Sequence, residues 1–176
     1  MNAISEIAWT GQHLRIRRNG RWEYAERTKA TGAAVIVALT DDRKLVLIEQ
    51  FRIPVQARVI ELPAGLCGDV EGEEKEALAM AARRELFEET GFEAAHFQML
   101  TSGPPSAGMS SEIVTFFLAE KLSRKHSGGG EGHEEIVVHE VSLGQVEHWL
   151  AEKEKQGLLV DPKVYCGLYF VLTRMP

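Results

Sequence analysis

Short apolar runs alternate with polar breaks along this chain, and the period of the apolar positions switches between two, which marks strands, and roughly 3.6, which marks helices. Leu14 to Arg18 and Arg21 to Ala25 flank Asn19-Gly20, a dipeptide that tolerates positive φ angles, and predict a β-hairpin. Ala33 to Leu39 and Lys44 to Phe51 are β-branched-rich runs around the polar turn Thr40-Asp41-Asp42-Arg43, which predicts a second hairpin in the core sheet. Val59 to Leu62 reads as a short strand. From Glu73 to Thr90 the residues Ala77, Leu78, Ala81, Ala82 and Leu86 recur at helical spacing, and Gly91 supplies a left-handed stop. Gln98 to Leu100 and Glu112 to Ala119 predict further strands, separated by the breaker-rich run from Ser102 to Gly108. Ser123 to Glu135 is glycine-rich and charged and reads as a mobile loop. It is followed by a strand from Ile136 to Val141 and a helix opened by Ser142 with Gln145 as a capping box. A last helix starts at Asp161-Pro162 and runs to about Thr173. There is no internal repeat and no linker long enough to divide the chain.

Composition narrows the picture. At 176 residues and 44% hydrophobic, the chain suits one domain with a small appendage. A formal charge of −6 and the lack of a basic stripe with interleaved aromatics exclude a nucleic-acid surface, so a phosphorylated substrate must be small and met by metal. Two cysteines, Cys67 and Cys166, are too few for a disulfide framework and lack ligand-like spacing. They are expected to be reduced thiols of a cytoplasmic protein. No signal peptide is recognisable, and no apolar run reaches the ~18 residues of a membrane span, so no membrane association is expected.

The run Arg83-Arg84-Glu85-Leu86-Phe87-Glu88-Glu89-Thr90-Gly91-Phe92 carries the candidate chemistry. Glu85, Glu88 and Glu89 fall on one helix face, where like charges repel unless a cation compensates them. Hard carboxylate oxygens suit Mg²⁺ or Mn²⁺ and the phosphates such ions carry. The plainer reading is a solvated acidic helix face, and the plainer reading of Arg84 is a helix salt bridge to Glu88.

From Glu61 to Phe92 the chain resembles the Nudix hydrolases. Their signature is a glycine, five residues, a glutamate, seven residues, then Arg-Glu-apolar-any-Glu-Glu-any-Gly-apolar. Glu76 lies eight before Arg84, and Arg84, Glu85, Leu86, Glu88, Glu89, Gly91 and Phe92 match without a gap. The departure is Val70, which stands six before Glu76 in place of the glycine. Leu62-Pro63-Ala64-Gly65-Leu66 resembles the strand end and glycine that open the box, so Cys67 to Glu71 reads as a loop insertion. The resemblance implies an α/β fold, the Nudix α/β/α sandwich with a mixed sheet, here with an N-terminal β-hairpin extension. The corresponding division is residues 1–30 for a dimer-forming hairpin region and 31–176 for the hydrolase domain. It implies Glu85, Glu89 and the Ala64 carbonyl as metal ligands, with Glu88 a third or indirect one. The implied cofactor is Mg²⁺, with Mn²⁺ as the alternative.

Three further segments resemble the group that hydrolyses ADP-ribose and other nucleoside diphosphate sugars. Glu49-Gln50-Phe51-Arg52 resembles a strand end whose arginine contacts the diphosphate, which implies Arg52 as a phosphate fork. Gly103 to Glu112 resembles the substrate loop, where Glu112 binds sugar hydroxyls or metal-bound water, or only begins a strand. Glu131-Gly132-His133-Glu134-Glu135-Ile136 resembles an acidic loop that supplies the general base, with Glu134 first and Glu131 and Glu135 as competitors, or a loop that is merely solvated. Arg21 to Arg27 resembles an N-terminal element that clamps the nucleoside across a homodimer, with Trp22 or Tyr24 stacking on the base, or simply packing in the hairpin. The implied activity is divalent-metal-dependent hydrolysis of the diphosphate of ADP-ribose or a related nucleotide sugar, yielding a nucleoside monophosphate and a sugar phosphate. The alternatives are a noncatalytic nucleotide-sugar sensor and a hydrolase of nucleoside triphosphates or dinucleoside polyphosphates.

Overall fold

A computed structural model describes residues 5–68, 77–130 and 135–173. Three strands, β1 (Glu6–Thr10), β2 (Leu14–Asn19) and β3 (Trp22–Arg27), form a separate antiparallel sheet at the N-terminus. The predicted hairpin is its β2–β3 pair, and β1 is a strand the apolar pattern did not disclose. The turn is shifted by one residue from the expected Asn19-Gly20. Asn19 is paired with Trp22, so Gly20 and Arg21 form the loop, with Gly20 at a φ of +59°. This small sheet is tied to the rest by the backbone of Ala25, which donates to Met109 O at 2.8 Å and accepts from Ser111 N at 3.0 Å.

The main sheet has eight strands: β4 (Gly32–Leu39), β5 (Lys44–Arg52), β6 (Ala57–Glu61), β7 (Ala64–Cys67), β8 (Phe92–Gly103), β9 (Val114–Arg124), β10 (Val137–Ser142) and β11 (Leu159–Val160). The helices are α1 (Leu78–Thr90), α2 (Val146–Lys155) and α3 (Pro162–Thr173). The path runs β11-β6-β5-β4-β9-β8, with β10 paired to β5 and β7 to β4. The sheet is mixed: β4–β9 and β6–β11 are parallel, and the other pairs are antiparallel.

Strand β4 explains the layering. Its side chains alternate, and every residue from Ala33 to Leu39 is buried, so both faces of the sheet are covered. Ala34, Ile36 and Ala38 pack with Ala82 and Leu86 of α1, while Val35, Val37 and Leu39 belong to the core that includes Val146 and Leu150 of α2 and Val164 and Leu168 of α3. One helix on one face and two on the other give the expected α/β/α sandwich.

The predicted β4–β5 hairpin is real but short. Only Ala38 and Leu39 pair with Val46 and Leu45, after which β4 takes β7 as its neighbour and β5 takes β6 and β10. Strand β8 is far longer than the predicted Gln98 to Leu100. It is an edge strand whose exposed residues include Glu93, His96 and Gln98, so apolar periodicity is weak there although ten residues pair with β9. Strand β9 begins at Val114, leaving Glu112 just outside it.

Helix boundaries follow backbone commitments that periodicity does not report. Ala77 is extended, so α1 as described starts at Leu78, with the Ala77 carbonyl accepting from Met80 and Ala81 at 2.8 and 3.1 Å; the predicted start at Glu73 lies outside the described residues. Ser142 is held in the β10–β5 ladder and cannot cap α2. Gln145 is the capping position, without a side-chain bond. The start of α3 is as predicted: Asp161 Oδ1 accepts from Lys163 N at 2.8 Å, with Pro162 at the first helical position.

A four-element ionic joint closes the sandwich away from α1. Glu49 of β5 accepts from Arg58 Nε of β6 at 2.6 Å, His139 Nε2 of β10 at 3.0 Å and Lys153 Nζ of α2 at 3.2 Å. Lys153 and His139 also lie against the Trp149 ring, at 5.1 and 4.9 Å. Burial raises the Glu49 carboxyl, but the hydrogen bonds from Arg58, His139 and Lys153 together outweigh it and bring it down to about 2. Burial likewise lowers His139, more than the Glu49 contact raises it. Both groups therefore take up a proton more readily in the unfolded chain than in the folded one. The Glu49 contribution is complete above its ordinary value of 4.5 and disappears as the pH falls toward 2, and the His139 contribution is lost as the pH falls below 6.5. Urea unfolding midpoints should decline with acidification through both windows. A Glu49→Gln protein should be less stable at neutral pH and show a shallower decline between pH 4.5 and 2.

Candidate active site

The box residues meet β7 at one end of the sheet. Helix α1 ends where Gly91, at a φ of +75°, donates its N–H to Phe87 O at 2.8 Å, so the last turns carry Glu85, Glu88 and Glu89 toward the β7 backbone. Glu89 is 5% exposed, and its Oε2 accepts from Ala64 N at 3.0 Å. Gly65 lies over Glu85: a Cβ at this position would overlap the Glu85 carboxyl carbon and Oε1. Only glycine lets the strand backbone approach so closely. Arg84 Nη1 donates to Glu85 Oε1 at 2.8 Å and to Glu88 Oε2 at 3.0 Å, and its Nη2 reaches Leu66 O at 3.2 Å. This arginine thus links two of the three carboxylates and pins α1 to β7. Among the described residues no three acidic, histidine or cysteine side chains gather into one metal-ready cluster; Arg84 contacts Glu85 and Glu88, and Glu89 accepts from the Ala64 amide.

A cavity of about 490 Å³ opens beside these residues. Glu85, Glu89, Ala64 and Gly65 form one part of its wall, and Arg52, Glu61, Gln50, Arg27, Glu112, Asp161 and Lys163 form others. Glu88 is not part of the lining. Of the predicted residues, Arg52 lies in the cavity with its guanidinium on Glu61: Nε donates to Oε1 at 2.7 Å and Nη2 to Oε2. That pairing is the main reason the guanidinium is held above its ordinary value, and the negative charges of Glu89 and Asp161 add to it. Glu112 is also in the wall and pairs with Arg27 Nε of β3. Each cation of the lining is therefore matched to a carboxylate: Arg52 to Glu61, Arg27 to Glu112 and Lys163 to Asp161.

Other predicted residues lie elsewhere. Trp22 is 55% exposed, with the Arg21 guanidinium 5.9 Å from its ring, and Tyr24 has its hydroxyl 3.3 Å from Ser5 Oγ; neither lines the cavity. Glu131 and Glu134 fall outside the described residues. Glu135 is exposed and outside the lining. The chain leading to them is fastened to the box helix. Gly129 N donates to Glu89 O at 2.9 Å and Gly130 N to Glu88 O at 3.3 Å, filling helix-end carbonyls that otherwise need water. Gly128 sits so close that a Cβ would fall 2.6 Å from Thr90 C.

Glu61, Gln50, Arg27, Asp161 and Lys163 were not singled out as site residues. A signal existed for Glu61, a carboxylate inside the apolar run Val59-Ile60-Glu61-Leu62, because an unpaired acid is not left in such a strand. Asp161 and Lys163 read only as a helix start.

The donor set suits a hard divalent cation. Two carboxylates and a backbone carbonyl beside Gly65 are oxygen donors of the right kind, and the space kept by the missing Cβ admits the Glu85 carboxylate. No helix among the described residues is long and apolar enough to cross a membrane.

Comparisons with known proteins agree on the family. The family model of the NUDIX domain matches residues 30–160. The "Methanol dehydrogenase activator" of Bacillus methanolicus is 33% identical over 77% of this chain and 71% of its own length. The "ADP-ribose pyrophosphatase" of Bacillus subtilis is 41% identical over 60% of this chain, which spans 54% of that relative's length. The "GDP-mannose pyrophosphatase" of Cronobacter sakazakii is 32% identical over 83% of this chain and 75% of its own. Among solved structures, an "ADP compounds hydrolase" shares the fold with a TM-score of 0.67 at 20% identity, over 86% of this chain and 82% of that one. With the box helix seated on β7 and a family match that spans most of the sheet, the chain belongs to the Nudix family.

Proposed function

We propose that this protein is a metal-dependent pyrophosphohydrolase that splits the diphosphate of ADP-ribose or a related nucleoside diphosphate sugar into a nucleoside monophosphate and a sugar phosphate. The observation that carries the reading is the cavity lining, which brings Glu85, Glu89 and the β7 backbone at Ala64 and Gly65 together with Arg52 and Lys163. Glu85, Glu89 and the Ala64 carbonyl are the residues that would hold Mg²⁺, or Mn²⁺ in its place. Glu88 contributes indirectly through Arg84. A bound divalent ion supplies charge neutralisation for the diphosphate and for the leaving phosphate. Arg52, oriented by Glu61, presents its guanidinium to phosphate oxygens, and Glu112 faces the sugar hydroxyls from the β3 side. Glu134, with Glu131 and Glu135 as the alternatives, takes the proton of the attacking water from a chain anchored at the end of α1. The two relatives named as pyrophosphatases of nucleotide sugars support this substrate class.

The N-terminal sheet supports a homodimer. Ile7, Trp9, Leu14 and Trp22 are exposed on it, and every residue of β1 is exposed. Burying this surface against a second copy brings Trp22 or Tyr24 to the partner's nucleoside site. The absence of a disulfide between Cys67 and Cys166 fits a cytoplasmic location.

A phosphate-release screen against ADP-ribose, GDP-mannose, UDP-glucose, NADH and nucleoside triphosphates should give turnover of the diphosphate sugars, and turnover of triphosphates alone would overturn the substrate class. Glu89→Gln keeps an oxygen for the Ala64 amide, so its thermal midpoint should hold while turnover falls by more than about a hundredfold. Of Glu131→Gln, Glu134→Gln and Glu135→Gln, the largest fall in kcat is expected for Glu134→Gln. Gly65→Ala drives a methyl into the Glu85 carboxylate and should weaken Mn²⁺ binding, read by titration, by about tenfold or more. Light scattering after gel filtration should return a dimer; a fully active monomer would remove the dimer and the base clamp together.

A further inference from the structure

Lys163 stands where two cavities meet. Pro105, Val114 and Lys163 line both the cleft described above and a shallower annex of about 270 Å³ between the end of β8 and the start of α3. Pro104, Phe116 and Cys166 give the annex a mainly apolar wall. The Lys163 ammonium rests on Asp161, whose carboxylate also caps α3. An ammonium carries three donors on a flexible stem, so one contact to Asp161 leaves it able to meet a phosphate oxygen as well. Arg52 differs in having two of its N–H groups set against Glu61, and Arg27 is held to Glu112 through Nε outside the annex.

We propose that Lys163 binds the second phosphoryl of the substrate diphosphate at the passage between the cavities, and that the annex is the subsite for the ring esterified to that phosphoryl. This rests on the nucleoside diphosphate reading above. The annex then acts as a selector. The carbon face of a sugar ring, or a planar ring, can lie against Phe116 and the two prolines. A free terminal phosphate would instead lose its water against the same apolar wall, with Lys163 as the single lining cation among the described residues. The subsite thus favours diphosphate diesters over nucleoside triphosphates.

Cys166 reports on the annex directly, because it lines it whereas Cys67 is only 1% exposed. Burial raises the Cys166 thiol, so alkylation is best run at mildly alkaline pH. Iodoacetamide labelling of the full chain with Ca²⁺ in place of Mg²⁺, to compensate the acidic cleft, followed by mass spectrometry, should show Cys166 protected by ADP-ribose and not by ADP, which lacks the second group. In Lys163→Met the ADP-ribose concentration for half protection should rise by about tenfold or more, and Lys163→Arg should restore most of it. Equal protection by ADP and ADP-ribose, no protection by either, or an unchanged half-protection in Lys163→Met would overturn the proposal. Turnover of ADP-ribose by the wild-type protein with Mg²⁺, measured alongside, separates the two readings. Turnover without selective protection defeats the annex alone, and absence of turnover on every diphosphate sugar defeats the functional reading.

Discussion

The Glu85 carboxylate lies against the backbone of Gly65 at a distance that no side-chain-bearing residue permits, and the rest of the site is arranged around that approach. Because β7 comes so near α1, the Ala64 amide can reach Glu89 and the Leu66 carbonyl can reach Arg84. These polar contacts replace water on groups that would otherwise be left buried and unsatisfied. The same approach requires β4 to give up β5 after two residue pairs and accept β7. Partner exchange in the sheet and the close packing of the box helix are two views of one constraint.

Charge is handled in the cleft by local pairing. Among the described residues, Glu61, Glu85, Glu89, Glu112 and Asp161 line it, with only Arg27, Arg52 and Lys163 to oppose them. Each cation sits against its own carboxylate, which keeps it oriented and charged but leaves the cleft with an acidic excess. Such a space repels an anionic substrate until a cation compensates it, which ties substrate binding to metal binding through electrostatics alone.

Legibility in the sequence followed the range of the interactions. The strands around β4 and β5, the body of α1 and the start of α3 are set by local periodicity and by Gly91 and Asp161, and these were readable. Strand β1 and most of β8 owe their form to a neighbouring strand and carry little apolar signal, so they were not. The box spacing put Glu85 and Glu89 at one place before any coordinates, because helical geometry is local. It also offered the Arg84–Glu88 salt bridge that forms, but not that Glu88 lies outside the cavity lining. Arg52 was found, but its companion Glu61 lies nine residues on, across the β5–β6 turn. Lys163 comes from the far end of the chain and can join the site only once α3 has packed on the sheet. Tertiary pairing of this kind leaves no mark in one segment.

The seam between the Gly128–Gly130 backbone and the end of α1 sets where the sequence can change in length. Gly129 O also accepts from Ile136 N at 3.3 Å, so the described residues on either side of the acidic segment are tied to each other as well as to the helix. Between two such anchors the entropic cost of closure rises only slowly with added residues. Insertions there are compatible with an unaltered cleft. Within 128–130 a single added residue would break the register with the Glu88 and Glu89 carbonyls, so relatives that differ in reach should vary between the anchors and not at them.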